Sequence, residues 1–250
     1  MNIQIKDQKK YAGKRIQVAF DFWSETSKWP FGHFIRVIGD EGDARTEGDV
    51  ILLENDIKFE KFSTAVMNCL PKDAENWIIP EEEIKTRRDL RHLNIVSVDP
   101  PGCRDIDDAL HCVKLPNGNF EVGVHIADVT HFVKPETPID TEASKRCTTV
   151  YLVDRRTDML PKVLTEILCS LTASTDHVAF SVIWEMTPNA EIVSIDFCKS
   201  LIRSKASLSY EQAQKLIDDD EDISEMANSL RYLLGISKIL KERRKQKGSL

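Results

Sequence analysis

The chain has 250 residues, 41% apolar and 30% charged, with a formal net charge of −7. That length holds one large or two smaller domains, and no run reaches the ~18 apolar residues of a membrane span, so no membrane partner is expected. The acidic balance argues only weakly against nucleic acid, because net charge does not report distribution and a carboxylate metal site adds negative charge of its own.

The N-terminus, MNIQIKDQKKYAGKR, lacks the apolar core of a secretory signal. Six cysteines (Cys69, Cys103, Cys112, Cys147, Cys169 and Cys198) are scattered without a C-x-x-C pair. Neither a zinc knuckle nor a redox dithiol is supported, and a reduced intracellular protein is expected.

Residues 1–70 read as β-rich. Ile16, Val18 and Phe20 alternate as in a half-buried strand. His33–Ile38 is a second strand by its β-branched content, and Val50–Leu53 a third after the Gly39–Asp43 turn cluster. Short strands with turns between them suggest a small OB-type barrel. Trp23, Trp29 and Phe31 either fill and cap this barrel or stack bases on its surface; the first is the simpler expectation.

Residues 71–92 read as a charged linker. Before it, Phe62, Ala65, Val66 and Leu70 have helical spacing within 58–70. Pro80 opens a further short helix, with acids in its first turn and bases in its last. Arg87, Arg88 and Arg91 either touch phosphate or form a solvated face; the second is the simpler expectation.

A second domain is expected over 93–250. Asn94–Val98 is a short strand leading into Asp99. Ala109–Val113 and Phe120–His125 form a hairpin across Asn117-Gly118. His125, Asp128 and His131 match no zinc signature, and structural histidines are the reading there. A helix over 140–148, a strand over 149–153, a helix from Pro161 to Leu168 and a long hairpin over 177–202 follow. Ser209–Ile217 and Met226–Lys247 are amphipathic helices, the second ending at Gly248. Its basic end, 241–247, is either solvated or an RNA contact.

The stretch Asp99-Pro-Pro-Gly-Cys-Arg-Asp-Ile-Asp-Asp108 stands out. Pro100, Pro101 and Gly102 favour a turn that folds Asp99 back on Asp105, Asp107 and Asp108. Two carboxylates about 4 Å apart repel by about 4 kcal/mol at an effective dielectric of about 20. Four together ask for a cation, and hard oxygen donors suit Mg²⁺, which can serve phosphodiester hydrolysis. A calcium loop starting at Asp105 fails, since its fifth, sixth and twelfth positions hold Ala109, Leu110 and Pro116. The bland alternative is a solvated acidic loop, which the apolar strands on both sides disfavour.

The segment from Ser97 to His111 resembles the catalytic motif of the ribonuclease II/ribonuclease R (RNB) superfamily, most closely its branch in the eukaryotic RNA exosome. Further matching runs are Glu121–Val133, Thr149–Val153, Asp158–Pro161, Leu168–Leu171, Phe180–Glu185 and Ser204–Ala213. Residues 13–92 resemble the second cold-shock barrel of that family. The resemblance implies an α+β chain: an OB-type, cold-shock-like barrel followed by the front half of a mixed α/β RNB domain. It implies processive 3′-to-5′ hydrolysis of single-stranded RNA to nucleoside 5′-monophosphates, with Mg²⁺ held by Asp99, Asp105, Asp107 and Asp108. Tyr151 matches a tyrosine that stacks near the 3′-terminal bases, and Tyr210 one close to the reacting phosphate. Exosome core subunits are the implied protein partners, in nucleus, cytoplasm or both. In the family the catalytic domain continues past the equivalent of Leu250 with further RNA-contacting arginines. The expectation is therefore a middle fragment, with an inert RNA-binding or exosome-docking module as the alternative function.

Overall fold

The computed structural model describes residues 2–3 and 8–248. The chain divides into two compact units, residues 1–61 with 143–159 and residues 62–142 with 160–250.

In the first unit, β2 (Lys14–Phe22) and β3 (Phe31–Asp40) pair antiparallel, and β1 (Asn2–Ile3) joins β3 in parallel. The β2–β3 register shifts at Arg15/Ile16, Gln17/Val18 and Phe20/Phe22. Each irregularity re-aims side chains, so the alternation at Ile16, Val18 and Phe20 does not give one buried face, and Phe20 is 59% exposed. Trp23 and Trp29 are also exposed, which corrects the expectation that they fill a barrel. Phe22 stacks on Phe31 with ring centroids 5.0 Å apart.

Val50–Leu53 is not a strand. It lies in helix α1 (Ala44–Glu54), started by Asp43, whose carboxylate accepts from Thr46 N–H at 2.9 Å. A side-chain cap of this kind satisfies an orphan helix donor and outweighs the β-branched content of a short run. The hairpin of β8 (Val150–Tyr151) and β9 (Arg156–Thr157) belongs to this unit, where Arg155 pairs with Asp49 of α1.

In the second unit the expected helix over 58–70 shrinks to one turn, α2 (Thr64–Met67), and Pro80 precedes α3 (Glu81–Thr86) as its cap residue. The unit is organised on seven strands: β4 (Arg88–Asp89), β5 (Val96–Asp99), β6 (Asp108–Lys114), β7 (Phe120–Ala127), β10 (Asp176–Met186), β11 (Ile192–Arg203) and β12 (Ala206–Ser209). Their order is β12-β5-β6-β7-β10-β11-β4, with the two outermost pairings parallel and the rest antiparallel. The two expected hairpins are β6–β7, turning at Gly118 with φ +88°, and β10–β11. The Pro161–Leu168 helix is a π-helix over Val163–Leu168. Helices α4 (Val129–Phe132) and α5 (Pro138–Arg146) follow β7. The last two helices are α6 (Tyr210–Asp218) and α7 (Glu225–Gln246).

One side of this sheet buries Ile95, Ala109, Ala127, Ala179 and Ile202 against Leu164, Leu168 and Leu171. Within it runs a polar chain. His111 Nε2 bonds Glu121 at 3.2 Å, His111 Nδ1 bonds His125 Nε2 at 2.8 Å, and His125 Nδ1 bonds Ser181 Oγ at 2.7 Å. The facing nitrogens of His111 and His125 share one hydrogen, so the two rings cannot both be imidazolium. Gly123 faces His111 so closely that a Cβ would lie 2.1 Å from its Cε1. His125 is thus a structural histidine, as expected.

Burial, and then the neighbouring His111, lower the His125 pKa to about 3 from an ordinary 6.5. The unfolded chain therefore binds a proton that the folded chain refuses. This contribution is intact above about pH 6.5 and is lost as pH falls below it, at about 1.4 kcal/mol per pH unit until about pH 3. Melting temperature followed from pH 7 to pH 4.5 is expected to fall less steeply in His125→Asn than in wild type. Equal slopes would contradict this account.

Candidate active site

The acidic segment spans the gap between two neighbouring strands. Asp99 is the last residue of β5 and Asp108 the first of β6. Pro100 and Gly102 make the turn: Cys103 N–H donates to the Pro100 carbonyl at 3.1 Å, and Gly102 takes φ +82°, where a side chain would be strained. Ile106 is 6% exposed and anchored in the core, while Asp107 and Asp108 are exposed. An inward Ile106 leaves its neighbours Asp105 and Asp107 on the opposite side of an extended backbone.

The acids act through their charges on one another and on Cys103. Partial desolvation, and then the charges of Asp107 and Asp99, push the Asp108 carboxyl above the usual carboxylate range. Burial, followed by the charges of Asp99 and Asp105, raises the Cys103 thiol, with Asp107 adding to them. Asp99 Oδ2 is buried and has no hydrogen-bond partner. An orphaned carboxylate oxygen facing like charges is costly, and a cation removes that cost. This donor set fits a hard divalent ion. Among the described residues no three His, Cys, Asp or Glu side chains are already drawn together as a cation cage. Mg²⁺ typically takes one or two carboxylates and completes its shell with water and phosphate.

A cleft of about 520 Å³ opens beside the turn, lined among others by Asp99, Cys103, Ile106, Ser209, Gln212 and Lys215. Strand β12 runs parallel to β5 with Ser209 opposite Asp99. Ser209 then caps α6: its hydroxyl accepts from Gln212 N–H, and the Gln212 side chain accepts from Ser209 N–H at 2.8 Å. Tyr210, 58% exposed, follows directly, so the sequence-identified tyrosine lies at the same sheet end as Asp99. Tyr151 is 69% exposed and lies in the first unit.

Two features escaped the sequence reading. Arg87 is no part of a solvated face: its side chain is fully buried, bonded to Asp128 Oδ2 and Glu83 Oε2, each at 2.7 Å. The backbone of residues 104–107 is tied to Ser170, Leu171 and Ala127. Leu168–Leu171 was visible as a motif run, but nothing local assigned Ser170 a task.

The RNB domain model matches residues 87–250, and the Dis3-like cold-shock domain 2 (CSD2) model matches residues 1–56. "Exosome complex exonuclease RRP44 homolog A" of Arabidopsis thaliana is 55% identical over 238 residues, which is 94% of this chain and 25% of that protein. The chain thus spans about a quarter of the length of the curated relatives it matches. Among solved structures, Mycoplasma genitalium RNase R in complex with ribose-methylated single-stranded RNA superposes with a TM-score of 0.83 at 26% identity, over 95% of this chain and 37% of that one. Yeast Ssd1, a pseudonuclease, superposes at 0.78 and 25% identity, over 96% of this chain and 29% of that one.

Proposed function

Because this chain belongs to the RNB domain family, we propose that it carries the acidic site of a processive 3′-to-5′ exoribonuclease that hydrolyses single-stranded RNA to nucleoside 5′-monophosphates. The observation that carries this reading is the acidic turn itself, with Asp99 and Asp108 at the ends of paired strands, Asp105 and Asp107 between them, and the buried Asp99 Oδ2 left without a partner. Asp99, Asp105, Asp107 and Asp108 would hold Mg²⁺. When bound, such an ion lowers the pKa of a water and offsets phosphate charge.

The residues themselves do the positioning. A rigid sheet end holds Asp99 and Asp108, and the core anchor at Ile106 holds Asp105 and Asp107 between them. Tyr210, beside Asp99, would stand by the reacting phosphate. Tyr151 would stack on a base near the 3′ end, for which an exposed ring is suited. The relatives are named as exosome complex exonucleases; on our reading such a chain would work in RNA processing and decay beside exosome core subunits, in the nucleus, the cytoplasm or both.

The likeness to a pseudonuclease favours one second reading, an inert RNA-binding or exosome-docking module, because a shared fold does not fix activity. The experiment that separates the two is incubation of the chain with 5′-labelled single-stranded RNA, with Mg²⁺ and with EDTA. Laddering to short products that EDTA stops is expected. Intact RNA under both conditions, with binding retained, would leave the docking module as the answer.

A further inference from the structure

We propose that Ser170 is a positioning residue for the acidic turn, setting the direction of Asp105 and Asp107 through their backbone. This rests on the metal-site reading above. Residues 103–107 belong to no strand or helix, so no regular ladder fixes them. Four hydrogen bonds tie residues 104–107 to the neighbouring core instead. Ser170 Oγ–H donates to the Arg104 carbonyl at 2.7 Å and the same oxygen accepts from Ile106 N–H at 3.2 Å, which brackets Asp105 on both sides. Leu171 N–H donates to the Ile106 carbonyl at 2.8 Å, and Ala127 N–H to the Asp107 carbonyl at 2.9 Å.

Ser170 and Leu171 are fully buried, so water cannot substitute for these contacts. A hydroxyl donates and accepts at once, and here it uses both capacities on one loop. Alanine would fill nearly the same space and leave an N–H and a carbonyl unpaired. The hydroxyl is bonded to the backbone on either side of Asp105, so its influence on the ion is through that backbone. Groups that orient ligands in this way are typically worth about 10–100-fold in metal affinity.

The test uses the full chain and Mn²⁺ as the probe, followed by its paramagnetic resonance signal. Ser170→Ala is expected to weaken Mn²⁺ binding about 10–100-fold. Ser170→Cys, of similar bulk but a weaker donor, falls between it and wild type and decides the matter if Ser170→Ala does not fold. Ser200→Ala removes a hydroxyl that is equally buried but bonded to Ser181 and the Ala179 carbonyl, and leaves affinity unchanged. Amide exchange over 104–107 is expected to speed up in the Ser170 variants while β10 and β11 stay protected. If Asp107→Asn loses the ion and both Ser170 variants keep wild-type affinity, the positioning role is overturned and the site reading stands. If wild type binds no Mn²⁺ that Asp107→Asn removes, the site reading falls and this inference with it.

Discussion

Asp107→Asn is expected to slow RNA hydrolysis at least about 10²–10³-fold, the loss typical of removing one preorganised group that stabilises charge in the transition state. RNA binding and thermal stability should stay at or above wild type. The two halves of this outcome have separate causes. Asparagine keeps the shape of the side chain but removes one of the negative donors of the proposed cation site. The fold uses Asp107 through its carbonyl, which accepts from Ala127 N–H, and asparagine keeps that bond. The Asp107 charge also raises the Asp108 carboxyl, so removing it relieves repulsion in the metal-free chain. Because Asp107 is exposed, the gain is small, about 0–1 kcal/mol. A gel assay on 5′-labelled single-stranded RNA, paired with a melting curve, reads both quantities. Wild-type turnover by this variant would sink the site assignment, and a large fall in melting temperature would mean that the carboxylate serves the fold.

What could be read from the sequence was whatever is written locally. Asp99, Asp105, Asp107 and Asp108 lie within ten residues, and the Pro-Pro-Gly between them announces its own turn. The Asn117-Gly118 pair and the flanking apolar alternation gave β6 and β7 to within two residues at each end. The failures have a common physical origin. Val50–Leu53 looks like a strand until the Asp43 carboxylate caps Thr46 N–H, and a cap outweighs β-branching over so short a run. Arg87, beside Arg88 and Arg91, reads as one member of a solvated basic face. Its deciding partner, Asp128, lies 41 residues on and is only brought close by the sheet. Ser170 is bonded to residues 64 and 66 positions before it. The site was legible as an inventory of acids. What aims those acids comes from contacts that no local pattern records.

Arg87→Met is the change expected to cost the fold most. The guanidinium is fully buried and makes three contacts: Asp128 Oδ2 at 2.7 Å, Glu83 Oε2 at 2.7 Å and the Ala179 carbonyl at 3.3 Å. Methionine supplies comparable apolar bulk, so packing is largely kept and the loss is electrostatic. It leaves the Asp128 carboxylate, 2% exposed at its side chain, with Thr130 and a distant Lys199 at 3.9 Å. Breaking a buried pair on one side costs about 3–5 kcal/mol, because the remaining charge is stranded, which for a chain of this size lowers the melting temperature by about 6–20 °C. Burial alone would raise the Asp128 carboxyl; hydrogen bonds from Thr130 and Arg87 overcome it and hold the group below the usual range. That stabilisation is present above the unfolded carboxylate pKa of about 4 and is lost progressively below it, as pH falls through the depressed folded value. The deficit of Arg87→Met against wild type should therefore narrow as pH drops towards 4, where the stranded carboxylate takes up a proton. Replacing both partners, Arg87→Met with Asp128→Leu, should recover much of the loss, since an apolar pair of similar volume replaces a buried ion pair at little cost. Chemical denaturation of the wild type, the two single variants and the double variant closes the cycle. Additive losses would show that the pair is not coupled and that Arg87 acts through Glu83 and the Ala179 carbonyl alone. A large coupling would make this ion pair the fastening of the end of β7, whose last residue, Ala127, holds Asp107 in place.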